Sequence, residues 1–207
     1  MPNFNIEFSL EKPVIGIDEV GRGPLAGPVV SCACIFFDYL IDQSHLLSFE
    51  DSKRLSAKKR RDAFHKIYNF KKIKKLQYAL GYATVDEIDS LNILEATKVS
   101  MRRAVQKLNF TKANLIIDGK IDLDLPEYPS FGIIKGDQKS YSIATASIIA
   151  KVHRDRYMHL LSLQFPHYNW EKNVGYGTKK HIEQIYKRGI TNHHRKSFEP
   201  IKSLIHK

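Results

Sequence analysis

Val14-Ile15-Gly16-Ile17-Asp18-Glu19-Val20-Gly21-Arg22-Gly23-Pro24 is a short apolar run that meets a cluster of glycines. It reads as a β-strand from Val14 to Asp18 that passes into a tight loop. Val29–Phe37 is a second apolar run and a second strand. Further along, Ser56 can cap a helix reaching about Phe70, with Ala63, Phe64 and Ile67 on one face. Leu76, Tyr78, Leu80 and Tyr82 alternate with smaller or polar residues, the pattern of a half-buried strand. Asn92 can cap a helix in which Leu94, Val99, Ala104, Val105 and Leu108 recur at helical spacing. Leu115–Asp118 and Phe131–Lys135 are two more strand-like runs, each closing on an acid and a glycine. Ser142–Leu163 reads as one long helix, apolar and small on one side and basic on the other, with Pro166 beyond its end. Thr178 caps a helix that Gly189 stops, and Phe198–Lys207 can form a short terminal helix. Strands interleaved with helices define the fold class as α/β.

The chain has 207 residues, of which 43% are hydrophobic. That suffices for one domain with a full core, 1–207, whose segment from about 166 onward contributes helices. The formal net charge of +11 points to a polyanionic partner, either nucleic acid or an anionic membrane surface, unless the lysines merely decorate a solvated exterior. No apolar run reaches the length of a membrane span, which lowers the membrane alternative. Met1–Glu11 carries acids and lacks a basic stretch followed by an apolar one, so a secretory signal is not expected. Cys32 and Cys34 are the only cysteines. At i and i+2 on a strand they share a face, too parallel for an unstrained disulfide, and so read as buried thiols of a cytoplasmic protein.

Three strand-like runs end in carboxylates: Asp18-Glu19, Asp118 before Gly119, and Asp137 after Gly136. Buried carboxylates cost several kcal/mol each unless paired or bound to metal. If neighbouring strands bring these ends together, the crowded charge calls for cations between them. Oxygen ligands suit Mg²⁺ or Mn²⁺, and two such ions about 4 Å apart can serve phosphodiester hydrolysis. Neighbours on a regular strand point to opposite faces, so Asp18 and Glu19 can both reach a metal only if the strand breaks there, which Gly21 and Gly23 would permit. Spacing alone leaves the other reading open: Asp-Gly is an ordinary turn dipeptide, and acids also cap helices.

Gly16–Val29 as a whole closely resembles bacterial ribonuclease HII. The resemblance continues at Asp51-Ser52-Lys53, Ile117-Asp118-Gly119, Lys135-Gly136-Asp137 and Ala146–Arg156. It closes with Gly175-Tyr176-Gly177-Thr178-Lys179 and His194-Arg195-Lys196-Ser197-Phe198. The motifs fall in the family order over nearly the whole chain. Val20 and Thr145 stand where the family more commonly has alanine. The related ribonuclease HIII family has a long N-terminal extension and lacks Gly-Arg-Gly, so type II is the better match.

The resemblance implies a ribonuclease H-like fold, a mixed central sheet flanked by helices with a helical C-terminal part. It implies an endonuclease that cuts the RNA strand of RNA–DNA hybrids and cuts 5′ of single ribonucleotides in duplex DNA, leaving 3′-hydroxyl and 5′-phosphate ends. Asp18, Glu19, Asp118 and Asp137 would be the catalytic set, binding two Mg²⁺ or Mn²⁺ ions. In the family context Gly21-Arg22-Gly23 would bring backbone groups to the 2′-hydroxyl, with Arg22 reaching a phosphate. An isolated Gly-x-Gly would be read as a turn. Tyr176 would stack on the deoxyribose that follows the ribonucleotide. Lys53, with Arg54, Lys139, Lys179 and Arg195, would contact phosphates. Thr178 and His194 belong to the same motifs and join the expected substrate contacts. A monomer is expected, and whether a sliding clamp is a partner stays open. Two other readings remain: a non-catalytic nucleic-acid-binding module, which would show no metal dependence, and a DNA nuclease or integrase of the same fold class, against which the 2′-hydroxyl motif argues.

Overall fold

The computed structural model describes residues 1–46, 48, 49, 52 and 55–205, with residues 43 and 45 described by backbone only. Among these, five strands form one sheet: β1 (Val14–Val20), β2 (Val29–Phe36), β3 (Leu76–Ala83), β4 (Asn114–Asp118) and β5 (Ser130–Ile133), in the order β3-β2-β1-β4-β5. The first three pair antiparallel, whereas β4 runs parallel to β1 and β5 parallel to β4. The sheet is therefore mixed, as the resemblance to ribonuclease HII implied. The central strand is apolar on both faces and buried on both: Val14, Ile15 and Ile17 are fully inaccessible.

The helices are α1 (Asn5–Phe8), α2 (Ala57–Lys72), α3 (Val85–Leu91), α4 (Ile93–Leu108), α5 (Tyr141–Gln164), α6 (Trp170–Asn173), α7 (Lys179–Arg188) and α8 (Ile201–Ile205). α4 covers one face of the sheet, packing Met101, Ala104 and Val105 against Ile15, Ile17 and Ala33. α5 covers the other, packing Ala146, Ile149 and Ala150 with Cys32, Cys34 and Phe36. Both cysteines are free, buried and on that one face, and burial pushes both thiols above their ordinary range.

Two glycines let the helices come this close. A Cβ on Gly16 would strike the backbone of Ser142 and lie 2.5 Å from the Ile143 nitrogen, and a Cβ on Gly81 would strike the Ser100 carbonyl of α4. This contact corrects the two-sided reading of α5. Residues 141–150 are buried all round, because small residues there lie directly on β1, and the basic residues begin only at Lys151. The N-terminus of α5 is fixed by a device not visible in any sequence motif. Glu7 of α1 is fully buried and its carboxylate accepts from Ser140 Oγ at 2.6 Å and from the Ser142 amide at 3.0 Å. A carboxylate at that end is favoured by the helix dipole.

Candidate active site

β1 and β4 run parallel, and their pairing ends at Ile17–Ile117. The next residue on each is a carboxylate, so Asp18 and Asp118 lie side by side at the carboxyl ends of adjacent strands, where open α/β sheets generally place their sites. Asp18 is 6% exposed. Burial pushes its carboxyl well above the usual range, and the charges of Glu19 and Asp118 push it further. Hydrogen bonds from Ser147 and from the Glu19 amide, the latter at 2.7 Å, act in the opposite direction. β1 does not break at Asp18. Its antiparallel pairing with β2 continues through Glu19–Ser31 and Val20–Val30, which carries the strand two residues past its expected end. Asp18 and Glu19 therefore leave the strand on opposite faces. Glu19 instead meets Arg22, 3.3 Å away.

Asp137 reaches the same end of the sheet by a different route. β5 stops at Ile133, short of the expected Lys135, because Lys135 adopts a left-handed backbone (φ 54°) and starts a 3₁₀ turn over Gly136–Gln138. Asp118 Oδ1 accepts from the Gly136 amide at 2.7 Å, which pins that turn and the buried Asp137 to the end of β4. All the candidate ligands are carboxylates, the donors that Mg²⁺ and Mn²⁺ prefer. A cation would also offset the like-charge crowding at Asp18. The residues fit such an ion chemically. Among the described residues, no three His, Cys, Asp or Glu side chains stand close enough to enclose one unaided.

The loop after β1 is gripped from two sides. Leu25 donates to the Gly175 carbonyl at 2.8 Å, Gly27 donates to the His193 carbonyl at 2.9 Å, and the Arg195 amide donates to Leu25 at 2.8 Å. Arg22 and Gly23 are exposed at its tip. A Cβ on Gly23 would meet only the edge of the Tyr176 ring, at 3.4 Å, so that half-exposed ring stands directly over the tip of the loop. Thr178 caps α7, accepting from the His181 amide, and both Thr178 and Lys179 are exposed beside Tyr176. Lys139 is exposed after the Asp137 turn. Lys53 and Arg54 lie outside the described residues.

Arg195 and His194 need correction as substrate contacts, because both are fully buried. Arg195 spends its guanidinium on main-chain carbonyls of the loop, those of Gly21 (2.5 Å), Arg22 (2.8 Å) and Gly27 (2.8 Å). It shapes the loop from beneath and cannot reach a phosphate.

A model of the family described as Ribonuclease HII matches residues 15–201. The chain is 49% identical over 209 residues to Ribonuclease HII of Staphylococcus saprophyticus, covering 99% of this chain and 77% of that protein. It is 46% identical over 205 residues to Ribonuclease HII of Wolbachia pipientis, covering 98% of each. The chain belongs to the ribonuclease HII family. The fold agrees with that of the ribonuclease HII in its complex with PCNA from Archaeoglobus fulgidus, at a TM-score of 0.69 and 22% identity, over 90% of this chain and 95% of that one. As a member of the ribonuclease HII family, the chain is an endonuclease of the ribonuclease H type.

Sequence reasoning missed two groups of residues in this ribonuclease HII site. Ser147 bonds Asp18 and lies 2.9 Å from Ser52 Oγ, so the serine of Asp51-Ser52-Lys53 is linked through Ser147 to the Asp18 carboxylate. Its signal was present, since both serines sit inside quoted motifs. The second had a partial one: His194 and Tyr176 sit inside quoted motifs, but no local pattern joins them to His181 and Trp170. His194 Nδ1 accepts from the Thr191 amide (2.9 Å), so its proton is on Nε2 and faces His181 Nε2 at 3.1 Å. That His181 nitrogen also accepts from Trp170 Nε1 at 3.0 Å, so His181 carries its proton on Nδ1 and donates to the Tyr176 carbonyl at 2.8 Å.

Both rings must be neutral for this chain of bonds. Burial, then the neighbouring His181 and His193, hold His194 down at about 3, against an ordinary 6.5, and burial lowers His181 as well. A base depressed in the folded state contributes stability that is full above its unfolded value and is lost as pH falls towards the folded one. Thermal unfolding followed from pH 8 to pH 4 should therefore show the melting temperature dropping below about pH 6.5. His194→Gln should flatten that drop while lowering stability at pH 8, and an unchanged profile would mean that the pair does not stay neutral.

Proposed function

We propose that this chain cuts the RNA strand of RNA–DNA hybrids, and cuts duplex DNA on the 5′ side of a single embedded ribonucleotide, with two Mg²⁺ or Mn²⁺ ions and release of 3′-hydroxyl and 5′-phosphate ends. The observation that carries this reading is Asp18: a carboxylate that burial, and then Glu19 and Asp118, push well above the usual range, at the carboxyl ends of two parallel strands. Asp18, Asp118 and Asp137 would hold the ions, Glu19 would join them by turning from Arg22 around the end of β1, and substrate phosphate and water would supply the remaining ligands. Such ions supply an activated water and neutralise the charge that develops on the leaving 3′ oxygen.

The chain's own groups do the rest. The loop tip at Arg22-Gly23 offers main-chain groups to the 2′-hydroxyl, the one group that separates RNA from DNA at a single nucleotide. Arg22 exchanges its contact with Glu19 for a flanking phosphate. Tyr176 lies against the next sugar, while Thr178, Lys179 and Lys139 border the path of the backbone, and Lys53 is assigned there from the motif alone. We read the chain as monomeric and cytoplasmic. The Archaeoglobus relative is bound to PCNA, which makes a sliding clamp the first protein partner to test.

The deciding assay is cleavage of a duplex with one embedded ribonucleotide, in Mg²⁺, in Mn²⁺ and in chelator, beside an all-DNA duplex. Cleavage 5′ of the ribonucleotide that vanishes with chelator is the expected result. Cutting of the all-DNA duplex, or binding without metal-dependent cutting, would refute the proposal.

A further inference from the structure

Arg154 lies within a quoted motif to which sequence reading gave no function, and the structure places it under the substrate loops. It is fully buried, and its guanidinium donates from Nε to the Pro28 carbonyl (3.0 Å), from Nη2 to Ala26 (3.0 Å) and from Nη1 to Val174 (2.9 Å). Two of these carbonyls belong to the loop after β1, and the third belongs to the turn that presents Tyr176. One planar cation thus ties the two loops together.

Three independent features show how closely the surroundings are fitted to it. Val174 has φ 44° and ψ 34°, a left-handed backbone that a β-branched side chain strongly disfavours, and the carbonyl of this strained residue is the one Arg154 holds. Gly21 has positive φ, and a Cβ there would collide with Arg154 Nε, whereas a Cβ on Gly27 would strike Met158 Sδ and only touch Nη2. The first glycine of Gly-Arg-Gly is therefore required by the arginine beneath it, and Gly23 is the one that faces outward. Finally, among the described residues no carboxylate pairs with Arg154. Its neighbour Asp155 is engaged by Lys151 (2.6 Å) and Arg60 (3.0 Å). Burial lowers the guanidinium only to about 10, so it stays charged at neutral pH. An unpaired buried charge is costly and persists where the carbonyl geometry it imposes is needed.

We propose that Arg154 is a positioning residue that fixes the spacing between the Gly21–Gly23 loop and Tyr176, and through it the preference for a ribonucleotide followed by a deoxyribose. The proposal rests on the reading of Tyr176 given above. Arg154→Lys keeps the charge but cannot reproduce a planar fork across two loops. kcat/KM should be measured on a duplex with one embedded ribonucleotide and on a continuous RNA–DNA hybrid. The expected result is a loss on the embedded ribonucleotide at least tenfold greater than on the hybrid. Gly175→Ala tests the same spacing with Arg154 intact, because a Cβ there would strike the Ala26 carbonyl, and it carries the test if Arg154→Lys does not fold. The same selective loss is expected. Equal loss on both substrates in the variants that fold overturns the proposal. Tyr176→Ala run alongside separates the two ideas. Selective loss there, without it in Arg154→Lys and Gly175→Ala, sinks the spacing proposal alone. No selective loss in Tyr176→Ala sinks the reading of Tyr176 itself.

Discussion

Asp18→Asn is expected to bring cleavage of both hybrid and embedded-ribonucleotide duplexes below detection while making the metal-free protein harder to unfold. The two effects have one cause. Asp18 is buried beside Glu19 and Asp118, and its charge is costly in the folded state without a cation. Asparagine keeps the shape and an oxygen that can accept from the Glu19 amide, but removes the charge. For a chain of this size each kcal/mol regained moves the melting temperature by roughly 2–4 °C. Affinity for a hybrid should change little, because it comes chiefly from Lys and Arg on phosphates. The measurements are cleavage in Mg²⁺ and Mn²⁺, thermal unfolding in chelator, and hybrid binding. Near wild-type cleavage removes Asp18 from the metal site, and a fall in melting temperature with loss of binding makes it a structural residue. Asp118→Asn likewise keeps an oxygen for the Gly136 amide, whereas Asp118→Ala removes that acceptor and should cost stability, because Oδ1 holds the Gly136 amide and with it the Asp137 turn. Asp18→Asn and Asp118→Ala are thus expected to lose activity alike and to part company in stability.

The strands and the long helices were legible because their signals are local. The caps expected at Ser56, Asn92 and Thr178 are all made, and Gly189 ends α7 with a positive φ. α3 was also legible and was not read: Thr84-Val85-Asp86-Glu87 is a capping box, with Thr84 Oγ1 and the Glu87 carboxylate each bonded to the other's amide. The length of β1 depended on its partner. Only pairing with β2 decides that the strand runs on through Glu19, and no pattern within the strand could say so. α1 and α6 are four residues each, too short for any periodicity to announce them.

Within the candidate site, the four carboxylates could be named from their motifs, but their spatial relation could not be read. That Asp137 sits on a 3₁₀ turn pinned by Asp118 follows from a left-handed Lys135, a residue with no compositional reason to be left-handed. Basic motif residues were the weakest inference. Charge suggested phosphate for both Arg195 and Lys179, yet one is fully buried on carbonyls and the other exposed. Long-range contacts alone separate a guanidinium that scaffolds a loop from an ammonium that faces solvent.

Tyr176→Ala is expected to lower kcat/KM on a single embedded ribonucleotide by about 5- to 150-fold, the range for losing a stacking contact worth roughly 1–3 kcal/mol. A much smaller loss is expected on a continuous hybrid, where the following sugar is a ribose. The ring stands over Gly23, within reach of whatever the loop tip holds, and is 46% exposed. Its backbone is fixed independently of the ring. The carbonyl accepts from His181 Nδ1 and the Thr178 amide, and the amide donates to Asn173. Truncation at Cβ therefore leaves the turn in place, and the melting temperature should stay within a degree or two of wild type, in keeping with a surface substitution worth about 0.5 kcal/mol or less. Tyr176→Phe should keep most of the activity, since the ring face makes the contact and, among the described residues, the hydroxyl makes no hydrogen bond. A sugar bearing a 2′-hydroxyl would have that group desolvated against the ring, which is why the preference should follow the ring and be absent from its loss. If Tyr176→Ala cleaves the embedded ribonucleotide as well as wild type does, recognition of the junction lies elsewhere, and the exposed groups left to carry it are Arg22, Thr178 and Lys179 around the same loop tip.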